Sequence, residues 1–429
     1  MATQIGYKAS ELGMIPQDWK IRIIGDFTDC TAGGTPSTQV SSYWGGEIPW
    51  MSSGELHLKQ VYDVVGRITQ KGLENSSTKF VPANSVLIGL AGQGKTRGTV
   101  AISKIPLCTN QSIAAIFPTD EFNSTFLFYN LENRYDELRA LSTGDGGRGG
   151  LNLTIIRNVS VKFPPLPEQT AIATALSDTD ALISSLQTLI AKKQAIKLSA
   201  MQNLLSGKIR LPEFAQRTDG SPKTTRQTEL GLLPEDWEVV ELGKRFETFS
   251  GGTPSTSIKG YYGGDIKWIT SSDLNKGIIY DVENTITELG FQNSSAKKVK
   301  KGTLLLALYG ATAGVVGITK IDATINQAVL AIIPKRDSSL FLYYWLSFNK
   351  NKIIDTYAQG GQANLSGDIV RAFNIAIPKS TTEQTAIAQL LSDMDAEIEA
   401  LACRLKKTQS LKQGMMQALL TGKIRLPLE

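Results

Sequence analysis

The chain has 429 residues, 41% of them hydrophobic and 20% charged, with 45 basic against 40 acidic side chains and a formal net charge of +5. That length and apolar content suffice for two or three buried cores, while so mild a basicity gives only weak support for a polyanionic partner. Cys30, Cys108 and Cys403 are too few and too scattered for a disulfide framework or a zinc site, no apolar run is long enough to span a bilayer, and no signal-peptide pattern is present, so the expectation is a cytoplasmic protein.

In chain order, Glu11-Leu12-Gly13-Met14-Ile15-Pro16-Gln17-Asp18-Trp19 is followed by Gly33-Gly34-Thr35-Pro36-Ser37-Thr38, Tyr43-Trp44 and Trp50. Short β-rich runs at 85–90 and 112–117 alternate with Gly, Ser, Thr and Pro loops, and a helical patch covers 126–141. From Ile172, apolar or small residues recur at Leu176, Thr179, Ile183, Leu186 and Ile190 in steps of four and three, which is a coiled-coil seam. Pro167-Glu168 opens this helix and Gly207 and Pro212 close it, giving about 40 residues and roughly 60 Å of length. Glu213 to Arg226 is polar, carries Gly220, Ser221 and Pro222, and reads as a linker.

The whole series then recurs. Glu229-Leu230-Gly231-Leu232-Leu233-Pro234-Glu235-Asp236-Trp237, Gly251-Gly252-Thr253-Pro254-Ser255-Thr256 and Trp268 lie 218 positions on, and the offset slips to 215 by Glu383-Gln384-Thr385-Ala386-Ile387-Ala388, the counterpart of Glu168-Gln169-Thr170-Ala171-Ile172-Ala173. The second helical patch is 340–357, and the second seam runs through Ile387, Leu391, Met394, Ile398, Leu401 and Leu405. It starts at Ser380-Thr381-Thr382-Glu383, which has capping-box spacing, and stops at Gly422 and Pro427. A repeat of about 200 residues is far longer than a solenoid unit, so each copy is a folded module. The predicted organisation is α+β: modules at 1–165 and 229–379, long helices at 166–210 and 380–429 including a tail, and a linker at 211–228. The helices are expected to pack as an antiparallel coiled coil within one pseudo-two-fold chain, the alternative being a seam that dimerises two chains.

Gly89-Leu90-Ala91-Gly92-Gln93-Gly94-Lys95-Thr96 fits the phosphate-binding pattern G-x-x-x-x-G-K-[ST], which needs a helix directly after the lysine. Here Arg97-Gly98-Thr99-Val100-Ala101-Ile102-Ser103 follows, a strand signal, and the second copy has Leu308-Tyr309-Gly310-Ala311-Thr312-Ala313-Gly314 with no lysine, so an ATPase is the weaker reading. A basic, glycine-flexible hairpin loop suits DNA instead, with Lys95 near phosphates and Arg97 on a phosphate or a guanine edge. This loop is rewritten between the copies, as is 142–150 against 358–363, whereas the framework motifs are shared. Two readers of different targets follow. His57, the only histidine, has Asn275 as its counterpart, and no catalytic constellation is repeated.

The doubled Pro-x-Asp-Trp, the doubled Gly-Gly-Thr-Pro-Ser-Thr, the Gln-Gly-Lys-Thr-Arg-Gly loop, Pro164-Pro165-Leu166-Pro167-Glu168-Gln169 and the doubled Leu-Leu-Ser/Thr-Gly-Lys-Ile-Arg-Leu-Pro together resemble the specificity subunits of type I restriction-modification systems, the HsdS family. The ordered set covers nearly the whole chain; the second copy departs at Pro378-Lys379-Ser380, where Pro-Leu-Pro is lost. The resemblance implies a host-defence DNA-binding subunit whose modules each read half of a bipartite duplex site and whose helices dock two methyltransferase subunits. S-adenosylmethionine, ATP and magnesium would belong to methyltransferase and restriction partners, and this chain would hold no cofactor, metal or catalytic residue. A modification system without a nuclease shares the same features. Within this reading the DNA-contact candidates are Tyr43, Ser53, Lys95, Thr96, Arg97 and Arg148 in the first module and Lys259, Tyr261, Ser271, Tyr309 and Gln362 in the second. Arg97→Ala is expected to abolish specific binding with little loss of fold.

Overall fold

The computed structural model describes residues 6–92, 94–142, 150–357 and 364–427. They form two compact units, Met1–Gln187 with Cys403–Glu429, and Thr188–Ala402. Each long helix is therefore shared between units, and the C-terminal tail is built into the first unit rather than trailing from the second.

In the first unit a five-stranded sheet has the spatial order Cys30–Ala32, Ile113–Ile116, Val86–Gly89, Val100–Ser103, Gln60–Val61. A four-stranded sheet has the order Arg67–Ile68, Trp44–Met51, Leu107–Thr109, Phe80–Val81. The apolar runs 85–90 and 112–117 are continuous because both sheet faces are covered. Val86, Ile88, Val100, Ile102, Ala114 and Ile116 feed one core, and Leu87, Ala101, Ile113 and Ala115 feed another. Successive side chains of a strand point to opposite faces, so one run supplies two cores. The second unit repeats this: Leu304, Leu306, Val316 and Ile318 go to one core, Leu305, Ala307, Val329 and Ala331 to another. Its sheets have the matching orders, Phe246–Ser250, Val329–Pro334, Leu304–Ala307, Val316–Thr319, Ile278–Ile279, and Thr285–Ile286, Tyr262–Ile269, Ala323–Ile325, Lys297–Val299. The helical patches are helices Ser124–Glu132 and Tyr135–Ala140 in the first unit, and one unbroken helix, Ser339–Tyr357, in the second.

The long helices are Leu166–Leu204 and Thr381–Leu419, 39 residues each. They run antiparallel in both units: Thr179 donates to Met415 Sδ at 3.6 Å in the first, and Lys193 pairs with Glu397 at 2.7 Å in the second. All twelve seam residues are buried or half-buried. The helix ends are not free spacers, however. Ile172, Leu176, Met416 and Leu419 belong to the first module's core, and Ile387, Leu391, Met201 and Leu204 to the second's. Lys193, where the sequence pattern turns polar, is matched by an ion pair instead of an apolar contact.

The polar stretch after the first helix is pinned to the second unit. Thr225–Thr228 pairs antiparallel with Gly231–Pro234, Arg217 binds Glu235 at 2.6 Å and Lys223 binds Asp236 at 2.7 Å. Surface ion pairs and a short ladder replace the apolar content whose absence suggested a linker.

Candidate nucleic-acid interface

The doubled glycines mark places where two backbones touch. A Cβ on Gly33 would lie 2.0 Å from Thr109 O, and one on Gly251 would lie 1.8 Å from Ile325 O, so no side chain fits. The following residues are held by tryptophan and glutamine. Trp50 Nε1 donates to Gly34 O at 2.9 Å, Trp44 Nε1 to Ser37 O at 3.1 Å, and Thr35 Oγ1 to Gln111 Oε1 at 2.6 Å. In the second unit Trp268 Nε1 donates to Gly252 O at 3.2 Å, Tyr262 to Pro254 O at 2.6 Å, and Thr253 to Gln327. The shared motifs thus form one framework corner per module, and the tryptophans are framework.

Tyr43 and Tyr261, which end the 3-10 turns Ser41–Tyr43 and Lys259–Tyr261, are half-buried, with each backbone carbonyl accepting from Thr69 N or Thr287 N at 2.9 Å. Lys259 is exposed. At the far end of the strand Trp44–Met51, Ser53 begins the 3-10 helix Ser53–Leu58, capped by Ser52 and Glu55; Ser271 begins its counterpart, Ser271–Lys276, capped by Thr270 and Asp273.

The hairpin joining Val86–Gly89 to Val100–Ser103 carries Lys95, Thr96 and Arg97. After Lys95 the chain turns, with Gly98 at φ +78°, and enters a strand, so the helix N-terminus that a phosphate-binding loop needs is not formed. The loop is tethered: Arg139 donates to Gly94 O at 2.7 Å and Tyr135 to Lys95 O at 3.3 Å. Lys95 is exposed and Thr96 half-buried, but Arg97 is only 8% exposed. Arg97→Ala therefore removes packed side chain as well as charge, so a loss of stability is expected beside the loss of specific binding. In the second unit the matching loop has Tyr309, 38% exposed, followed by the 3-10 turn Gly310–Thr312.

Three doubled motifs converge in a second place. Arg425, from the tail, binds Asp18 at 2.8 Å and also Glu168, while Trp19 Nε1 donates to Glu168 at 2.9 Å. In the other unit Arg210 binds Asp236 at 2.8 Å and Glu383 at 2.6 Å, and Trp237 Nε1 donates to Glu383 at 3.4 Å. Gly422 and Gly207, with φ of +74° and +70°, turn each tail against Pro16 or Pro234. Glu383 therefore spends its side chain on this node, and only half of the predicted capping box forms, Glu383 N donating to Ser380 Oγ at 3.4 Å.

The type I restriction modification DNA specificity domain matches residues 16–197 and again 234–408. The chain belongs to this family. The MjaIX specificity subunit of Methanocaldococcus jannaschii, a type I restriction enzyme subunit, is 26% identical over 359 residues, covering 81% of this chain and 80% of the relative. The MjaVIII specificity subunit of the same organism is 27% identical over 433 residues, covering 96% and 94%. The crystal structure of a type I restriction-modification S subunit from M. genitalium shares the fold, with a TM-score of 0.60 at 16% identity over 98% of this chain and 97% of that one.

Both specificity-domain matches start at the proline against which a tail glycine turns. Within the first domain the helix bearing Ser53 lies under the hairpin bearing Lys95, since Leu56 sits against Gly89; Tyr43 stands at the other end of its strand. In the second, Ser271's helix packs beside the turn following Tyr309. Arg148 and Gln362 lie outside the described residues. Among the described residues no cluster of His, Cys, Asp or Glu is placed to hold a metal ion, and no helix is long and apolar enough to cross a membrane.

One residue escaped the sequence reading. Lys59 adopts φ +63° and ψ −60°, a strained turn for a side-chain-bearing residue, where the second copy has Gly277 at φ +66°. It lines a cleft of about 500 Å³ with His57, Lys95 and Tyr135, and pairs with Glu132 at 3.2 Å. The comparison with Gly277 was the available signal. Lys59→Gly is expected to hold or raise stability, by up to about 1 kcal/mol as strain is relieved. The same variant should weaken duplex DNA binding and reduce the salt slope of the affinity by about one. Anisotropy titrations over a salt series check this; an unchanged slope excludes Lys59 from phosphate contact.

Proposed function

We propose that this chain is the DNA-reading, non-catalytic subunit of a type I restriction-modification complex, each module reading half of a bipartite duplex site while the long helices dock two methyltransferase subunits. The observation that carries it is the contrast inside the repeat. In the Gly-Gly-Thr-Pro corner the Trp50–Gly34 and Thr35–Gln111 bonds recur as Trp268–Gly252 and Thr253–Gln327, yet the hairpin beside each corner's sheet presents Lys95 and Thr96 in one module and Tyr309 in the other. A shared scaffold with unlike loops suits two different half-sites. The candidates Tyr43, Ser53, Lys95, Thr96, Arg97, Lys259, Tyr261, Ser271 and Tyr309 stand as proposed contacts. S-adenosylmethionine, ATP and magnesium are assigned to the partners.

Co-expression with methyltransferase and restriction subunits from the same source, followed by methylome mapping, tests the reading. A two-part adenine motif with an unspecified spacer is expected, together with a complex containing two methyltransferase copies. A continuous motif, or no methyltransferase in the complex, overturns it; absence of the restriction subunit alone assigns the chain to a modification-only system.

A further inference from the structure

In each unit a tyrosine of the module helix is gripped by both long helices. Tyr129 donates to Asp180 Oδ2 at 2.8 Å, and Lys412, from the opposite helix, binds Asp180 Oδ1 at 2.8 Å while standing 5.3 Å from the centroid of the Tyr129 ring. In the second unit Tyr344 donates to Asp395 Oδ2 at 2.8 Å, and Lys197 binds Asp395 and stands 5.5 Å from the Tyr344 ring. The helices exchange roles: aspartate comes from the first and lysine from the second in one unit, and the reverse in the other. These three residue types persist while their neighbours have drifted, Phe128, Asn130 and Glu132 becoming Tyr343, Trp345 and Ser347.

The tyrosine's ring is buried in both, 0% and 3% exposed, so phenylalanine could fill the same space. What the hydroxyl adds is direction. A hydrogen bond to a carboxylate that is itself held by a lysine fixes the height and rotation of the module helix on the long helices. Burial, reinforced by the neighbouring carboxylate, pushes both phenols' pKa up, so each stays a donor at neutral pH. The module helix in turn packs on the hairpin strands Val86–Gly89 and Val100–Ser103, or Leu304–Ala307 and Val316–Thr319, whose turns carry Lys95 and Tyr309. In the first unit the grip extends further, because Glu132 lies 3.8 Å from Lys412 and 3.2 Å from Lys59.

We propose that Tyr129–Asp180–Lys412 and Tyr344–Asp395–Lys197 are positioning clamps that set the register of each reading module on the long helices, and thereby the tolerance of the complex for the number of base pairs between half-sites. This rests on the bipartite reading above. The test uses the full chain assembled with its methyltransferase subunits and a set of duplexes whose half-sites are separated by the preferred spacer or by spacers one to three base pairs longer or shorter. Tyr129→Phe/Tyr344→Phe is expected to bind the preferred duplex nearly as well as the unmodified chain, while discrimination against wrong spacers falls by about tenfold, the scale of a lost charged hydrogen bond. Lys412→Met/Lys197→Met is the second variant and is expected to act in the same direction. A spacer profile superimposable on that of the unmodified chain, or affinity lost equally on every duplex, overturns the proposal and leaves the residues a structural role only. An unmodified chain indifferent to spacing overturns the bipartite reading, and the clamps with it.

Discussion

Replacing Arg210 by alanine is expected to destabilise the second unit by about 3–5 kcal/mol, the range for removing one partner of a buried ion pair. The guanidinium is 9% exposed and binds Glu383, itself 2% exposed, through two nitrogens at 2.6 and 2.7 Å. Its loss strands a carboxylate that can neither reach water nor find a second cation, whereas Asp236 keeps Lys223. The deficit should depend on pH. Burial already raises the Glu383 pKa against the pull of Arg210, and without Arg210 it rises further. A carboxyl with a raised folded-state pKa gains stability as it takes up a proton, so the deficit narrows between pH 8 and pH 5. Asp236 works in the opposite sense. Burial alone would raise it, but hydrogen bonds from Arg210 and Lys223 hold it at about 2 against an ordinary 3.8. Its contribution is complete above about pH 4 and fades as pH falls toward 2, a dependence that weakens in the variant. Urea unfolding of the full chain at several pH values measures both effects; a loss below about 1 kcal/mol, or one flat with pH, contradicts the stranded-carboxylate account.

This node also shows where the sequence stops being informative. The helices were legible because periodicity, prolines and stop glycines act within a few residues, and the sheets because alternate side chains feeding two cores leave unbroken apolar runs. That Arg425 meets Glu168, 257 residues away, is not written in any local pattern. Nor is the sharing of each helix between units, which follows from a tail turning back on Pro16 or Pro234. The order of the polar stretch from Glu213 is hidden for a related reason: it comes from ion pairs with Glu235 and Asp236, and composition counts only apolar content. Lys59 has no signature of its own for its backbone angle, which shows in the sequence only through its glycine counterpart Gly277, and the burial of Arg97 is not legible because charge in a loop usually faces water.

The proposed docking of two methyltransferase subunits on the long helices gives the other large expected effect. Ile196 and Leu411 lie 215 positions apart, so they are repeat equivalents on the two long helices, and they are 45% and 60% exposed. Isolated exposed apolar residues are ordinary on any surface. These two differ from Leu182, Leu189 and Leu198, also exposed, whose counterparts Glu397, Arg404 and Gln413 are polar. Off the long helices apolar exposure is retained at other equivalent pairs, Met14 and Leu232, Tyr62 and Tyr280, Ile209 and Ile424, but within Leu166–Leu204 and Thr381–Leu419 it is retained at this pair, which suits a partner that binds the helices twice by the same surface. Ile196→Glu and Leu411→Glu should each change stability by no more than about 0.5 kcal/mol, as surface substitutions do. On the proposed docking, each should cost about 2 kcal/mol or more in partner binding, as expected when an apolar anchor of an interface is replaced by a charge. Either single variant is then expected to carry one methyltransferase subunit and the double variant none, as read by native mass spectrometry of the purified complex. DNA binding by the chain itself should survive in all three. Two subunits retained by the double variant would move the docking surface elsewhere on the helices.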